Sequence, residues 1–233
     1  LKGGKVSAPE AFLGQLLMGM WLDSEGIQAS DVEWVNLNAD EAVGPMLSGD
    51  LDAAYLYEPW VTKLLDNMDG ARNVASSADE EFISTGVLGD ALYMNNDFME
   101  KRPEVALDML EARWKALQYW HDNTEEANQF FADFLQWPLE DVVSVMGTNG
   151  KYREGGLYML DFNESAQFCG VLEGEPPLGM ENGGMEEAGR LMNEWWVKLN
   201  VVDEMYDTDK IVDCSLMGKL AESGYNQAFE ARE

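Results

Sequence analysis

Residues able to do bond-making chemistry are scarce in this sequence of 233 residues, and the scarcity narrows its function. There is one histidine, His121, which follows Trp120 near the expected end of a helix. A cation there interacts favourably with the helix dipole, so a surface or capping role fits it better than catalysis. With no CxxC or HExxH spacing, the chain offers no structural zinc site and no thiol–histidine or serine–histidine pair. Acidic runs such as Asp79-Glu80-Glu81 have the chemistry to bind a divalent cation, but among 44 acidic residues such runs arise from composition alone. The same abundance deprives any one carboxylate pair of weight as a glycosidase-type acid and base. "GMENGG" and "NGKYREGG" lack the following lysine and hydroxyl residue of a phosphate loop. No cofactor and no metal are expected, and no enzyme class stands out.

Pocket chemistry is the stronger lead. In parallel α/β layers, ligands sit beyond the carboxyl ends of strands, where helix N-termini present free N–H groups. Two such points occur here. The first, after the opening strand, supplies Pro9, Glu10, Ala11 and Phe12; the second, at the end of Leu51–Trp60 (LDAAYLYEPW), supplies Tyr57, Glu58 and Trp60. Leu51 to Leu56 reads as a buried parallel strand, with Tyr55 packing against a helix, and the change of role falls at Tyr57. Glu58 is placed either to receive a ligand amine or to favour the dipole of the helix that follows.

The elements that position these residues follow from periodicity and breakers. A strand within Lys2–Ala8 is followed by a helix over Ala11–Leu22, framed by Pro9 and Gly26. "SDVEWVNLN" is a strand, Asp40–Leu47 a short helix closed by Ser48-Gly49, and Trp60–Asn67 a helix entered through Pro59. Further strands are expected at Arg72–Ala75 and at Leu88 with Ala91–Met94. From Pro103 the pattern turns helical: Val105, Leu107, Leu110, Trp114, Leu117 and Trp120 recur every three or four residues. Thr124 caps a helix carrying Phe130, Phe131, Phe134 and Leu135, and Pro138 opens another over Leu139–Met146. Met185–Leu199 is the last long helix, and Asp207–Leu220 adds a turn and a short one. The chain therefore divides into an α/β part at residues 1–92 and a mainly helical part at 93–233, and the second lacks a visible sheet of its own to pack on.

Composition bounds the partners. Apolar residues make up 46% of the chain, enough for a packed interior. The net charge of −29 repels phosphate backbones and anionic bilayers over a Debye length of about 8–10 Å, so nucleic-acid binding is excluded as a working reading. The acidity serves solubility or a saline medium, or forms a face for cationic ligands or partners. Cys169 and Cys214 form either one disulfide or two isolated buried thiols. No apolar run is long enough to cross a bilayer, so no direct membrane insertion is expected. The start at Leu1 without an initiating methionine reads as a processed or truncated product.

Taken in order, "LKGGKVSAPEAFLGQLL", "DVEWVNLNADEAVGPMLSGDLDAAYLYEPW" and "MNNDFMEKRPEVALDMLEARWKAL" resemble the periplasmic solute-binding proteins of ABC importers, in the nitrate, sulfonate and taurine group that also embraces thiamine-pyrimidine-precursor binding proteins. The later "FNESAQFCG" and "AGRLMNEWWVKLNVVDE" look like that group's C-terminal helices. The resemblance implies a two-lobed α/β fold of the periplasmic-binding-protein type, which captures a small solute in a cleft without turnover. It also implies a membrane permease as partner and a periplasmic or extracellular location, with a lipid anchor ahead of the chain as one form. Residues 1–92 would be lobe two, and 93–233 the hinge return and helical part of lobe one, whose earlier portion lies ahead of Leu1. Other members of the scaffold imply two alternatives: a solute-sensing domain of a signalling protein, and an enzyme of pyrimidine synthesis.

The carry-over to residues is partial. Pro9 matches the group's Pro-x-Gly-Ser-x-x-His pattern, but Ala11 and Phe12 stand at Gly-Ser and Gln15 at the histidine. Tyr57 and Pro59 match the aromatic-x-Pro pair, while Glu58 adds a negative charge between them. A small hydroxyl donor is lost and a carboxylate gained, which disfavours sulfonate- or nitrate-like anions. An amine-bearing, heteroaromatic or neutral ligand suits the aromatic rings.

Overall fold

The computed structural model describes residues 1–148 and 157–229. Contacts divide the chain into two compact units: Leu1–Leu88 with Glu186–Ile211, and Gly89–Met185 with Val212–Glu233. The last long helix thus returns to the first unit, a crossing that a single division at residues 92 and 93 does not contain.

The first unit is built on a parallel sheet of β1 (Lys5–Ser7), β2 (Glu33–Val35) and β3 (Ala53–Ala54), in the order β2-β1-β3. The chain runs from β1 through α1 (Leu13–Ser24) to β2, then through α2 (Ala39–Ser48) to β3 on the opposite side of β1. Val6 is fully buried with Met18 and Leu22 of α1, and Trp34, Ala53 and Tyr55 pack around them. Because side chains alternate along a strand, Ser7 faces the other side of the sheet.

Local chemistry explains the helix ends. Gly26 takes φ 69°, and Ile27 N–H reaches back to the Leu22 carbonyl at 2.8 Å, a left-handed close to α1 that glycine tolerates best. Asn38 and Glu41 form a capping box at the start of α2. α3 (Trp60–Asn67) begins directly after Pro59, as expected, and α4 (Glu80–Ile83) follows Asp79, whose Oδ2 accepts the Ser76 N–H at 2.7 Å. The returning α10 (Met185–Lys198) leads to Leu199, whose side chain lies against Gly19 of α1. The buried Asn193 of α10 donates to the Tyr206 carbonyl and accepts from its N–H.

In the first stretch of the chain four expected elements are corrected. α1 begins at Leu13 rather than Ala11, because residues 9–12 are turned outward into a loop with Ala11 at positive φ. Arg72–Ala75 and Leu88 with Ala91–Met94 are not strands: Val74, Leu92 and Tyr93 are exposed, and among the described residues no strand pairs with them. The strand expected at Leu51–Leu56 contracts to Ala53–Ala54, extended by the hydrogen bonds of Asp52 and Tyr55 to β1.

Among the described residues the second unit is helical: α5 (Asn96–Lys101), α6 (Pro103–Asp122), α7 (Thr124–Leu135), α8 (Leu139–Met146), α9 (Phe162–Phe168) and α11 (Ser215–Glu222). Its core joins Leu110, Trp114, Leu117 and Trp120 of α6 to Phe162 and Ala166 of α9 and to Met217 and Leu220 of α11. Val105, counted in the expected stripe, is exposed, and Ala106 is buried instead. Phe162, fully buried, meets Trp114 and Tyr225 edge-on, at ring separations of 5.9 and 5.0 Å; burying such a ring contributes about 1.5–3 kcal/mol. Buried Asn128 accepts from Trp120 Nε1 and donates to the Gly147 carbonyl. The α7 cap falls on Asn123, with Thr124 inside the helix bonding back to the Trp120 carbonyl. "NGKYREGG" lies outside the described residues.

Of the two alternatives for the cysteines, the structure has the disulfide: Cys169 after α9 joins Cys214 before α11. Replacing both by serine is expected to cost about 2–4 kcal/mol, because the open chain regains loop entropy when unfolded. A lowered urea midpoint, reproduced in the unaltered protein by adding reductant, is the result that checks this.

Candidate functional site

The sheet order decides which loops meet. β1 lies between its neighbours, with Ser7 opposite Ala54, and Tyr55 N–H donates to the Ser7 carbonyl at 2.8 Å. The loop after β1 and the loop after β3 therefore leave adjacent strands at the same end. In a 2-1-3 order this is the topological switch point, where parallel α/β sheets form their ligand crevice. Six of the seven candidate residues lie on these two loops and the seventh, Trp60, opens α3, all within the first unit.

On the β1 side, Pro9 is half-buried while Glu10, Ala11 and Phe12 are exposed, Phe12 to 53%. Ala11 has φ 55°, the left-handed region that favours glycine, at the position where the resembling pattern carries glycine. Phe12 is the N-cap of α1 and has no side-chain oxygen to offer. Two backbone donors of this loop are taken up within the chain. Glu10 N–H donates to Asn36 Oδ1 at 3.0 Å, and Ala11 N–H to Gln15 Oε1 at 2.8 Å.

On the β3 side, Tyr57 is exposed, Glu58 and Trp60 are half-buried, and Pro59 is buried behind a cis peptide bond. Tyr57 lies 6.2 Å from Tyr55 between ring centres. The Tyr57 carbonyl accepts the first N–H groups of α3, so the ring projects from the strand exit just before the helix. Glu58 Oε2 accepts from Thr62 N–H at 3.3 Å, an interaction with the first turn of α3. Lys63 holds its ammonium 4.4 Å from the centre of the Trp60 ring. The two loops are braced by Tyr55, whose ring lies on the backbone of Gly14.

The arrangement supplies aromatic faces and two carboxylates. It holds no cysteine or histidine. Both cysteines are consumed in the disulfide of the second unit, where His121 also lies, stacked 4.2 Å from Phe229 with Nδ1 3.2 Å from Asp122. Among the described residues no group of three or more acidic, histidine or cysteine side chains is arranged to hold a metal. Asn36 and Ser7 were not singled out from the sequence. Asn36 follows directly on β2, which is a signal in hindsight, and Ser7 is a hydroxyl in an apolar strand, fully buried, whose Oγ has no hydrogen-bond partner.

The parallel sheet with its helices, and the fold comparison, define an α/β fold of the periplasmic-binding-protein type. The chain belongs to the NMT1-like family, whose pattern it matches over residues 9–134. It is 24% identical over 136 residues to proteins named as binding proteins from Brucella abortus (strain 2308) and Brucella suis biovar 1 (strain 1330), covering 58% of this chain and 42% of each of theirs. Among solved structures it is similar to the periplasmic sulfonate-binding protein SsuA of a sulfonate ABC transporter from Methylobacillus flagellatus KT. The TM-score is 0.65 and the identity 15%, over 96% of this chain and 61% of that one. It is also similar to the desulfurization enzyme DSZB, with a TM-score of 0.52 and 16% identity over 97% of this chain and 72% of that one. The chain thus spans less than half the length of the curated relatives.

Gly14 offers a test of the brace between the two loops. A Cβ there would sit 2.2 Å from Tyr55 Cδ1. Gly14→Ala is expected to lose about 1–3 kcal/mol to overpacking, more than the roughly 1 kcal/mol that alanine contributes to a helix. In a Tyr55→Ala background the same change should become neutral or stabilising, as read by urea unfolding of the four variants.

Proposed function

We propose that this chain is part of the solute-binding component of an ABC-type uptake system, which captures a small organic solute without chemical turnover and delivers it to a membrane permease. The observation that carries the reading is the switch point of the sheet, with Phe12, Tyr57 and Trp60 at its open end and the acidic Glu10 and Glu58 beside them. The family, and the names of the relatives, support capture over chemistry. So does the use of both cysteines in a disulfide, although the fold also serves an enzyme in DSZB. The disulfide fits an oxidising compartment, periplasmic or extracellular.

The same residues favour an amine-bearing, heteroaromatic or neutral solute. The N–H donors of Glu10 and Ala11 are already satisfied by amide oxygens, and the carboxylates of Glu10 and Glu58 repel an anion. Aromatic rings accept either a cation or a flat ring.

Native mass spectrometry of the full-length protein identifies the solute that co-purifies, and calorimetry then measures its affinity. Tyr57→Ala and Trp60→Ala are each expected to weaken binding about tenfold, the loss of one stacking partner, while each variant still unfolds cooperatively from a folded state. Unaltered affinity in both variants rejects this site.

A further inference from the structure

The second unit carries a surface unrelated to the switch point. α7 turns its small side chains, Ala127 and Ala132, into the core, and leaves its aromatics outside. Phe130 is 55% exposed, Phe134 one turn later 83%, and Leu139 at the start of α8 is 40% exposed. Phe130 and Leu139 line a concavity of about 630 Å³, whose rim includes Glu125, Glu126 and Asp133. From Asp122 to Met146 the sequence holds six acidic residues and no lysine or arginine. Glu126 accepts from the Tyr119 hydroxyl and Asp133 from the Gln129 amide, neutral donors that fix the carboxylates without cancelling their charge.

Apolar side chains grouped around a concavity mark an interaction surface more often than a bare solvent face. The rim decides the sign of the occupant. A second copy seated by two-fold symmetry would set these carboxylates against their own counterparts, on a chain that already carries −29. We propose that the α7–α8 face docks a basic, amphipathic segment of a protein partner. Its apolar side chains seat on Phe130, Phe134 and Leu139, and its lysines or arginines meet Glu125, Glu126 and Asp133.

The probe is a fluorescein-labelled helical peptide of leucine and lysine with its leucines on one face, followed by anisotropy with the full-length protein at low and high salt. A peptide of the same composition with scrambled order is the control. The one-faced peptide should bind at least tenfold more tightly than the scrambled one, and the pair Phe130→Ser and Phe134→Ser should remove that advantage. Glu126→Gln with Asp133→Asn should weaken binding at low salt more than Glu25→Gln with Asp69→Asn, the same charge change on the first unit. All of these positions are exposed, so the substitutions take nothing from a core. No binding, equal binding of the two peptides, or indifference to the phenylalanine changes overturns the proposal. So does sedimentation showing a dimer that the phenylalanine pair dissolves, since a second copy would then be the occupant.

Discussion

The constraint on which the first unit depends is the double pairing of β1. With three residues it hydrogen-bonds to β2 on one side and β3 on the other, and every other feature hangs on that position. Had the order been sequential, the loops after β1 and β3 would be separated by β2, and Pro9–Phe12 and Tyr57–Trp60 would not share an end. The strands are too short to be held by pairing alone. They persist because Val6 is enclosed by Met18 and Leu22, with Trp34 and Tyr55 packed around them, so burial and not ladder length carries the sheet.

Much of this was legible wherever a local signal and a long-range need agreed. α2 ends at Gly49 and α3 starts after Pro59, where breaker residues dictate the backbone, and the heptad-like run Leu110, Trp114, Leu117, Trp120 is the face that meets α9 and α11. The failures share a cause. Val74, Leu92 and Tyr93 have strand-forming side chains, but a strand exists only if another strand pairs with it, and sequence composition does not report that partner. The candidate loops could be placed by their position after strands. The acceptors that quench them, Asn36 on Glu10 and Gln15 on Ala11, depend on contacts whose geometry no motif describes.

Both units meet part of their acidity with ion pairs and helix termini. In the first, several carboxylates are met by cations or by helix termini: Lys198 with Asp23, Lys2 with Asp31, and Glu41 in the α2 cap. Hydrogen bonding from Gln28 backbone, followed by Lys2, holds the Asp31 carboxyl below its ordinary range. In the second unit Lys101 pairs with Asp97 and Lys115 with Glu111, Glu125 and Glu126 stand in the first turn of α7 near the exposed Phe130, and at the end of α6 Asp122 is held low first by Gln118 and then by His121. A uniform solubility coat would not place charge and bare phenylalanine together.

The disulfide sits at a revealing place in the chain path. The polypeptide leaves the second unit after Met185, contributes Glu186–Ile211 to the first, and re-enters at Val212. Cys169 and Cys214 lie on either side of that excursion and tie its two ends covalently within the second unit. A protease that cuts anywhere between residues 186 and 211 therefore produces two polypeptides that remain one molecule until a reductant is added. Wherever thiols are scarce, a nicked excursion leaves the C-terminal segment attached.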